Sequence, residues 1–130
     1  MKRTYILILT VAVGMFSISG CKKDSPTENE KPDAPEMVSP ADSATVLSDT
    51  VQLVWRSLPG TVQYSVEVSS APNFSTLEFS TSITETTFTI QPVLRGWHYW
   101  RVRGKNSTGL WGTWNTRTFY RLSTFVKTFG

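Results

Sequence analysis

The chain has 130 residues, with 13 Lys or Arg against 10 Asp or Glu, one Cys and one His. That length holds one domain of ordinary size plus a leader, and is too short for two catalytic domains. A lone Cys closes no internal disulfide, and one Cys with one His cannot make a structural zinc site of four such ligands. Aromatic residues make up 12% of the chain, a core-forming supply that excludes disorder throughout.

Residues 1–20 have three zones. Lys2 and Arg3 form a basic start, an apolar stretch follows from Tyr5 to Phe16, and Ser17-Ile18-Ser19-Gly20 closes it with small residues before Cys21. A spanning helix needs about 18 or more apolar residues in a row, so this stretch is expected to be a cleaved signal peptide. Ile18-Ser19-Gly20-Cys21 resembles the lipobox of bacterial lipoproteins. The resemblance implies that Cys21 becomes the first residue of the mature chain, thioether-linked to diacylglycerol and often acylated on its amine, with palmitate or similar chains. Two or three acyl chains, at ~0.8 kcal/mol per buried CH₂, hold a protein on a membrane without any spanning helix. Loss of the leader leaves 11 basic residues against 10 acidic ones. The basicity is therefore partly a targeting signal, and no nucleic-acid partner is expected.

Residues 22–34, KKDSPTENEKPDA, hold no apolar side chain larger than Ala. Such a segment cannot bury enough surface to offset its ordering entropy and reads as a flexible tether. It spans at most ~45 Å extended and roughly 20 Å as a coil. The absence of Asp directly after Cys21 resembles lipoproteins sorted to the outer membrane, while acids farther along the tether leave surface display open.

From residue 35 to 122 the pattern turns to period two. Val51, Leu53 and Trp55 alternate with Gln52, Val54 and Arg56, and Tyr64, Val66 and Val68 with Ser65, Glu67 and Ser69, as in half-buried antiparallel strands. Further strands are expected over 37–39, 77–82, 87–90, 98–104 and 116–122. Breakers lie between them at Pro40, Pro59-Gly60, Pro72-Asn73, Pro92, Gly96, Asn106 and Gly109. Seven short strands at this spacing, with no helix-period segment outside the leader, predict an all-β sandwich. The inward parity selects Val51, Leu53, Trp55, Tyr64, Val66, Val68, Phe88, Ile90, Trp100 and Val102 as core. The tail 123–130 is apolar enough to pack.

The series Ser39-Pro40-Ala41-Asp42, Val51 to Trp55, Tyr64 to Ser69, Asn73-Phe74, Tyr99 to Arg103 and Asn106 resembles a bacterial fibronectin type III domain. The resemblance covers nearly all of 35–122 and implies an immunoglobulin-like sandwich with Trp55 between the sheets. It also implies a Tyr near the start of the sixth strand whose hydroxyl bonds back to the preceding connection. Counting in twos from Val102 puts His98 on that parity and Tyr99 outward. Either His98 fills the corner through a ring nitrogen, the preferred reading, or a bulge re-aims Tyr99.

Trp111-Gly112-Thr113-Trp114-Asn115 resembles the WSXWS element of some fibronectin type III domains, in which tryptophans stack with arginines of the next strand. Arg101 and Arg103 have the outward parity for this, and each exposed cation–π pair is worth ~0.5–1 kcal/mol. A competing reading takes Trp97, Tyr99, Trp111 and Trp114 as a platform for sugar rings or protein loops. Asp42-Ser43-Ala44 and Asp49-Thr50-Val51 fit the Asp-Ser/Thr-aliphatic acceptor pattern of Bacteroidetes-like O-glycosylation, which would place sugars on Ser43 and Thr50. Ordinary Asx and Ser/Thr turn chemistry explains the same residues.

Catalysis has little to stand on, since half of the ten acids lie in or beside the tether and a glycosidase needs two across a cleft. Neither an enzyme, a cofactor nor a metal site is expected. The expected function is a lipid-anchored envelope module that binds a protein partner or acts as a spacer. Its exposed strand edges and the loops near Pro59-Gly60 and at 106–109 are the expected contact regions. The alternative is a glycan-binding accessory that uses an exposed Trp/Tyr face.

Overall fold

The computed structural model describes residues 30–124. The leader, Cys21 and most of the tether therefore lie outside the described residues, as does the tail from 125 onward. Among the described residues eight strands form two sheets: β1 (Met37–Ser39), β2 (Ala44–Val46), β3 (Val51–Trp55), β4 (Thr61–Ser69), β5 (Leu77–Ile83), β6 (Thr87–Ile90), β7 (Gly96–Asn106) and β8 (Asn115–Arg121). The smaller sheet has the order β1-β3-β6 and the larger β2-β8-β7-β4-β5. All pairings are antiparallel except β2 with β8. No helix is present among the described residues.

Seven of the eight strands fall where the alternation places them. The eighth, β2, comes out of the connection after Pro40. Ser43 turns the chain there through φ 63°, its amide donates to the Thr118 carbonyl at 2.8 Å, and the Ala44 amide closes a turn on the Ala41 carbonyl at 3.0 Å. Three residues carry too little periodicity to be seen locally, and their partner strand lies more than seventy residues away in sequence.

Each sheet turns one parity of its strands inward, and the two inward sets meet as the core. Nine of the ten residues selected by parity are buried, and Phe88 packs against them from the rim, half-buried. Met37, Val93 and Phe119 join the core in addition. Trp55 sits between the sheets, edge-on to Tyr64 with centroids 5.7 Å apart and tilted at 6.4 Å from Trp100. Burying roughly 200 Å² of indole stabilises by on the order of 5 kcal/mol. That outweighs the ~1–3 kcal/mol cost of each indole N–H, at Trp55 and Trp100, that finds no partner among the described residues. The Tyr64 hydroxyl accepts from the Leu58 amide at 3.0 Å, which pins the β3–β4 connection to the core.

The packed structure begins upstream of Pro35. Asn106 donates from Nδ2 to the Glu30 carbonyl at 2.9 Å, Thr113 from its amide to Pro32 O at 3.4 Å, and Asn115 from Nδ2 to Pro35 O at 2.8 Å. Pro32 is buried. The last residues of the expected tether thus lie against the β7–β8 connection, and a Cβ on Gly112 would run into the Pro32 carbonyl.

Candidate functional site

β7 is the strand that organises the outer face of the larger sheet. His98, Trp100, Val102, Gly104 and Asn106 point inward and are buried, while Trp97, Tyr99, Arg101, Arg103 and Lys105 form the outward row. Gly104 is required on the inward row because a Cβ there would meet Thr61 Cγ2 at 2.7 Å. The β7–β8 connection folds back over this row. Trp111 bridges to Lys105, and the Gly112 amide donates to the Gly104 carbonyl at 2.7 Å.

Five stacking contacts result, in which rings and cations alternate. Arg101 lies over Phe74 at 4.1 Å and over Trp114 at 4.2 Å, Arg103 over Trp114 at 4.4 Å and Trp111 at 4.7 Å, and Lys105 over Trp111 at 5.1 Å. Glu67 on β4 faces Arg101 across the pair of strands and accepts on Oε1 from Nε at 2.8 Å, with Nη2 at 2.6 Å. Both groups of that pair are largely shielded from water. The guanidinium is therefore held by a carboxylate in its plane and by rings on its faces, an arrangement only Arg can satisfy.

The structure brings Arg101, Arg103, Trp111 and Trp114 together, and Phe74, Lys105 and Glu67 complete the set. Phe74 reaches the ladder from the β4–β5 connection. It adopts φ 57° in a turn fixed by Ser69, whose Oγ accepts from the Ala71 amide at 3.0 Å and donates to the Thr76 carbonyl at 2.6 Å. Parity could have supplied Lys105, two residues beyond Arg103, whereas Glu67 and Phe74 needed the strand register.

Trp97 and Tyr99 stand apart from this stack. Trp97 is half-exposed at 49% and edge-on to Tyr120 with centroids 5.3 Å apart. Tyr99 is half-buried on the same row, opposite Ser69 and Thr118. Of the four aromatic side chains considered as a platform, Trp111 and Trp114 have ring faces covered by cations.

His98 occupies the corner. It is buried, stacks on Phe119 with centroids 5.2 Å apart, and its Nε2 donates to the Leu94 carbonyl in the β6–β7 connection at 2.7 Å. The register around Tyr99 is regular on both sides, without a bulge. Nδ1 lies 2.7 Å from Glu78 Oε2 on β5, a partner the sequence did not indicate. A carbonyl oxygen only accepts, so Nε2 is the donor in the bond to Leu94.

Ser43 and Thr50 are both exposed. Asp42 does not bond its own turn; its Oδ1 accepts from the Thr118 amide at 3.0 Å, which ties the β1–β2 connection to β8. Thr50 donates from Oγ1 to Gln91 Oε1 at 2.8 Å and from its amide to Ser48 Oγ at 3.0 Å. Among the described residues no three His, Cys, Asp or Glu side chains gather as metal ligands.

A three-on-five sandwich, antiparallel but for β2, with a buried tryptophan between the sheets and a hydrogen-bonded corner residue at the start of β7 defines a fibronectin type III-like fold. The molecule is similar to the fibronectin(III)-like modules of Clostridium thermocellum CbhA, with a TM-score of 0.52 and 8% identity over 70% of this chain and 99% of that one. It is also similar to FN3tt, with a TM-score of 0.52 and 18% identity over 69% of this chain and 94% of that one. A third similarity is to the 6th fibronectin type III domain of human fibronectin type III domain containing protein 3. There the TM-score is 0.55 and the identity 11% over 84% of this chain and 100% of that one. At these identities the likeness establishes the fold alone. No known family's sequence profile and no curated protein matches the chain.

Proposed function

We propose that the protein is a lipid-anchored module of the bacterial cell envelope, held in the outer membrane through Cys21, whose fibronectin type III-like domain binds a protein partner or acts as a spacer. The observation that carries the anchor is Ile18-Ser19-Gly20-Cys21 placed directly behind a basic start and an apolar stretch. The binding or spacing role is supported by a fold common to such modules, and by the outer sheet face being filled by its own ring-and-cation stack.

The alternative, a glycan-binding accessory, has Trp97 in its favour, half-exposed beside Tyr120. Against it, a sugar stacking on Trp111 or Trp114 would have to displace Arg101, Arg103 or Lys105 from the ring faces they cover. Cys21→Ala tests the anchor: the variant is expected in the soluble fraction of its host, and a variant still held in the membrane refutes it. Crosslinking the anchored protein in its own envelope tests the partner, with a defined protein adduct expected. Specific retention on envelope polysaccharide that disappears with Trp97→Ala would favour the glycan reading.

A further inference from the structure

The place where the chain enters the sandwich bears on which end a membrane-anchored molecule turns toward the bilayer. Glu30 is hydrogen-bonded to Asn106 at one end of the long axis defined by β7, and the chain runs inward from there past Pro32, bonded to Thr113, to Pro35, bonded to Asn115 opposite Val102. The strand register gathers other connections at this same end. β4 begins there, since Thr61 pairs with Asn106, and β3 finishes there, since the Arg56 amide donates to the Glu36 carbonyl at 2.9 Å. The turns at 57–60 and 107–110 are therefore neighbours of the tether. The opposite end carries the connections at 47–50, 70–76 and 91–95. Val93 donates to the Asp49 carbonyl at 2.8 Å there, and Gly96 pairs with Arg121.

We infer that the anchored domain stands with the 57–60 and 107–110 turns toward the lipid and the 47–50, 70–76 and 91–95 connections toward the aqueous side. The inference rests on the proposed lipid on Cys21. It follows from a comparison of two lengths. Nine Cα–Cα steps separate Cys21 from Glu30, which reach at most ~32 Å when fully extended and roughly 17 Å as a coil. The 11 residues of β7 alone span about 33 Å, and the connections extend beyond both ends. An inverted domain would need Glu30 held at least that far above the bilayer surface, at or past the limit of the tether. The upright and tilted arrangements need only a small part of its reach.

A protein partner arriving from the aqueous side thus meets the 47–50, 70–76 and 91–95 connections first. The turns near Pro59-Gly60 and at 106–109, expected from sequence to be contact loops, are left to partners lying in the same membrane.

The test uses the lipidated full protein in vesicles of phosphatidylethanolamine and phosphatidylglycerol that carry an acceptor dye on the headgroup. Cys21 is the sole cysteine and is consumed by the lipid, so Ser107→Cys and Arg95→Cys each offer one thiol, at opposite ends of β7, for a donor dye. Energy transfer to the bilayer is expected to be at least twofold greater from position 107 than from position 95. Ser57→Cys and Ser70→Cys repeat the comparison on other strands, with the same order expected. Protein that fails to float with the vesicles overturns the anchor itself. Protein that floats with equal or reversed transfer leaves the anchor standing and overturns the orientation.

Discussion

Replacing Trp114 by Ala removes the ring that both Arg101 and Arg103 cover, at 4.2 and 4.4 Å. Trp114 is half-buried, so about 100 Å² of indole loses its shelter, worth ~2.5 kcal/mol at 25 cal/mol per Å². Two cation–π contacts add ~0.5–1 kcal/mol each, for a total of about 4 kcal/mol. A domain of this size loses ~4–8 °C of Tm per kcal/mol, so the midpoint should fall by roughly 15–30 °C. Urea denaturation of Trp114→Ala measures the total. A double-mutant cycle of Trp114→Phe with Arg103→Gln isolates the stacking, for which a coupling of at least ~0.5 kcal/mol is expected. A loss below ~1 kcal/mol for Trp114→Ala, or additivity of the pair within ~0.3 kcal/mol, would refute the view that the stack holds the sheet face together.

His98→Phe keeps the stacking on Phe119 but leaves Glu78 and the Leu94 carbonyl without their partner, so a loss of about 2–3 kcal/mol is expected by chemical denaturation. Glu78→Gln retains a side chain that can hydrogen-bond Nδ1, and should cost less than about 1 kcal/mol in the same assay. Gly112→Ala drives a methyl group into the Pro32 carbonyl. Its expected effect is faster amide exchange at Thr113 as the segment before Pro35 comes away, with a stability loss of about 1–2 kcal/mol. If Ser43 and Thr50 are glycosylated, the protein from its native host is heavier than its lipidated polypeptide by whole sugar residues, an increment lost in Ser43→Ala with Thr50→Val. Peptide maps with both residues unmodified would dismiss the motif as turn chemistry.

What the sequence made legible is the part that depends on parity. The alternation at Val51 to Trp55 and Tyr64 to Val68 needs no partner to be read, and the same counting put His98 inward and Arg101 and Arg103 outward. Phe119 escaped because it adjoins Tyr120 in a strand whose inward parity also holds Arg117, an Arg that reaches past the sheet edge to the Pro40 carbonyl at 3.1 Å. Pairings set by register across a third strand were likewise out of reach. Glu78 finds His98 only because β5, β4 and β7 lie side by side, and Glu67 finds Arg101 only because β4 and β7 align those two positions. The segment at 30–34 has the composition of a tether, and composition does not reveal that its carbonyls accept from Asn106 and Thr113.

The central claim is that this sandwich is held at a membrane by lipid on its one cysteine, and intact-mass spectrometry of the protein extracted from its host's envelope tests it most directly. The account predicts a chain that begins at Cys21 and carries the mass of a diacylglyceryl group, with or without a further acyl chain. A chain that retains residues 1–20, or one that begins elsewhere with a free thiol at Cys21, would contradict it.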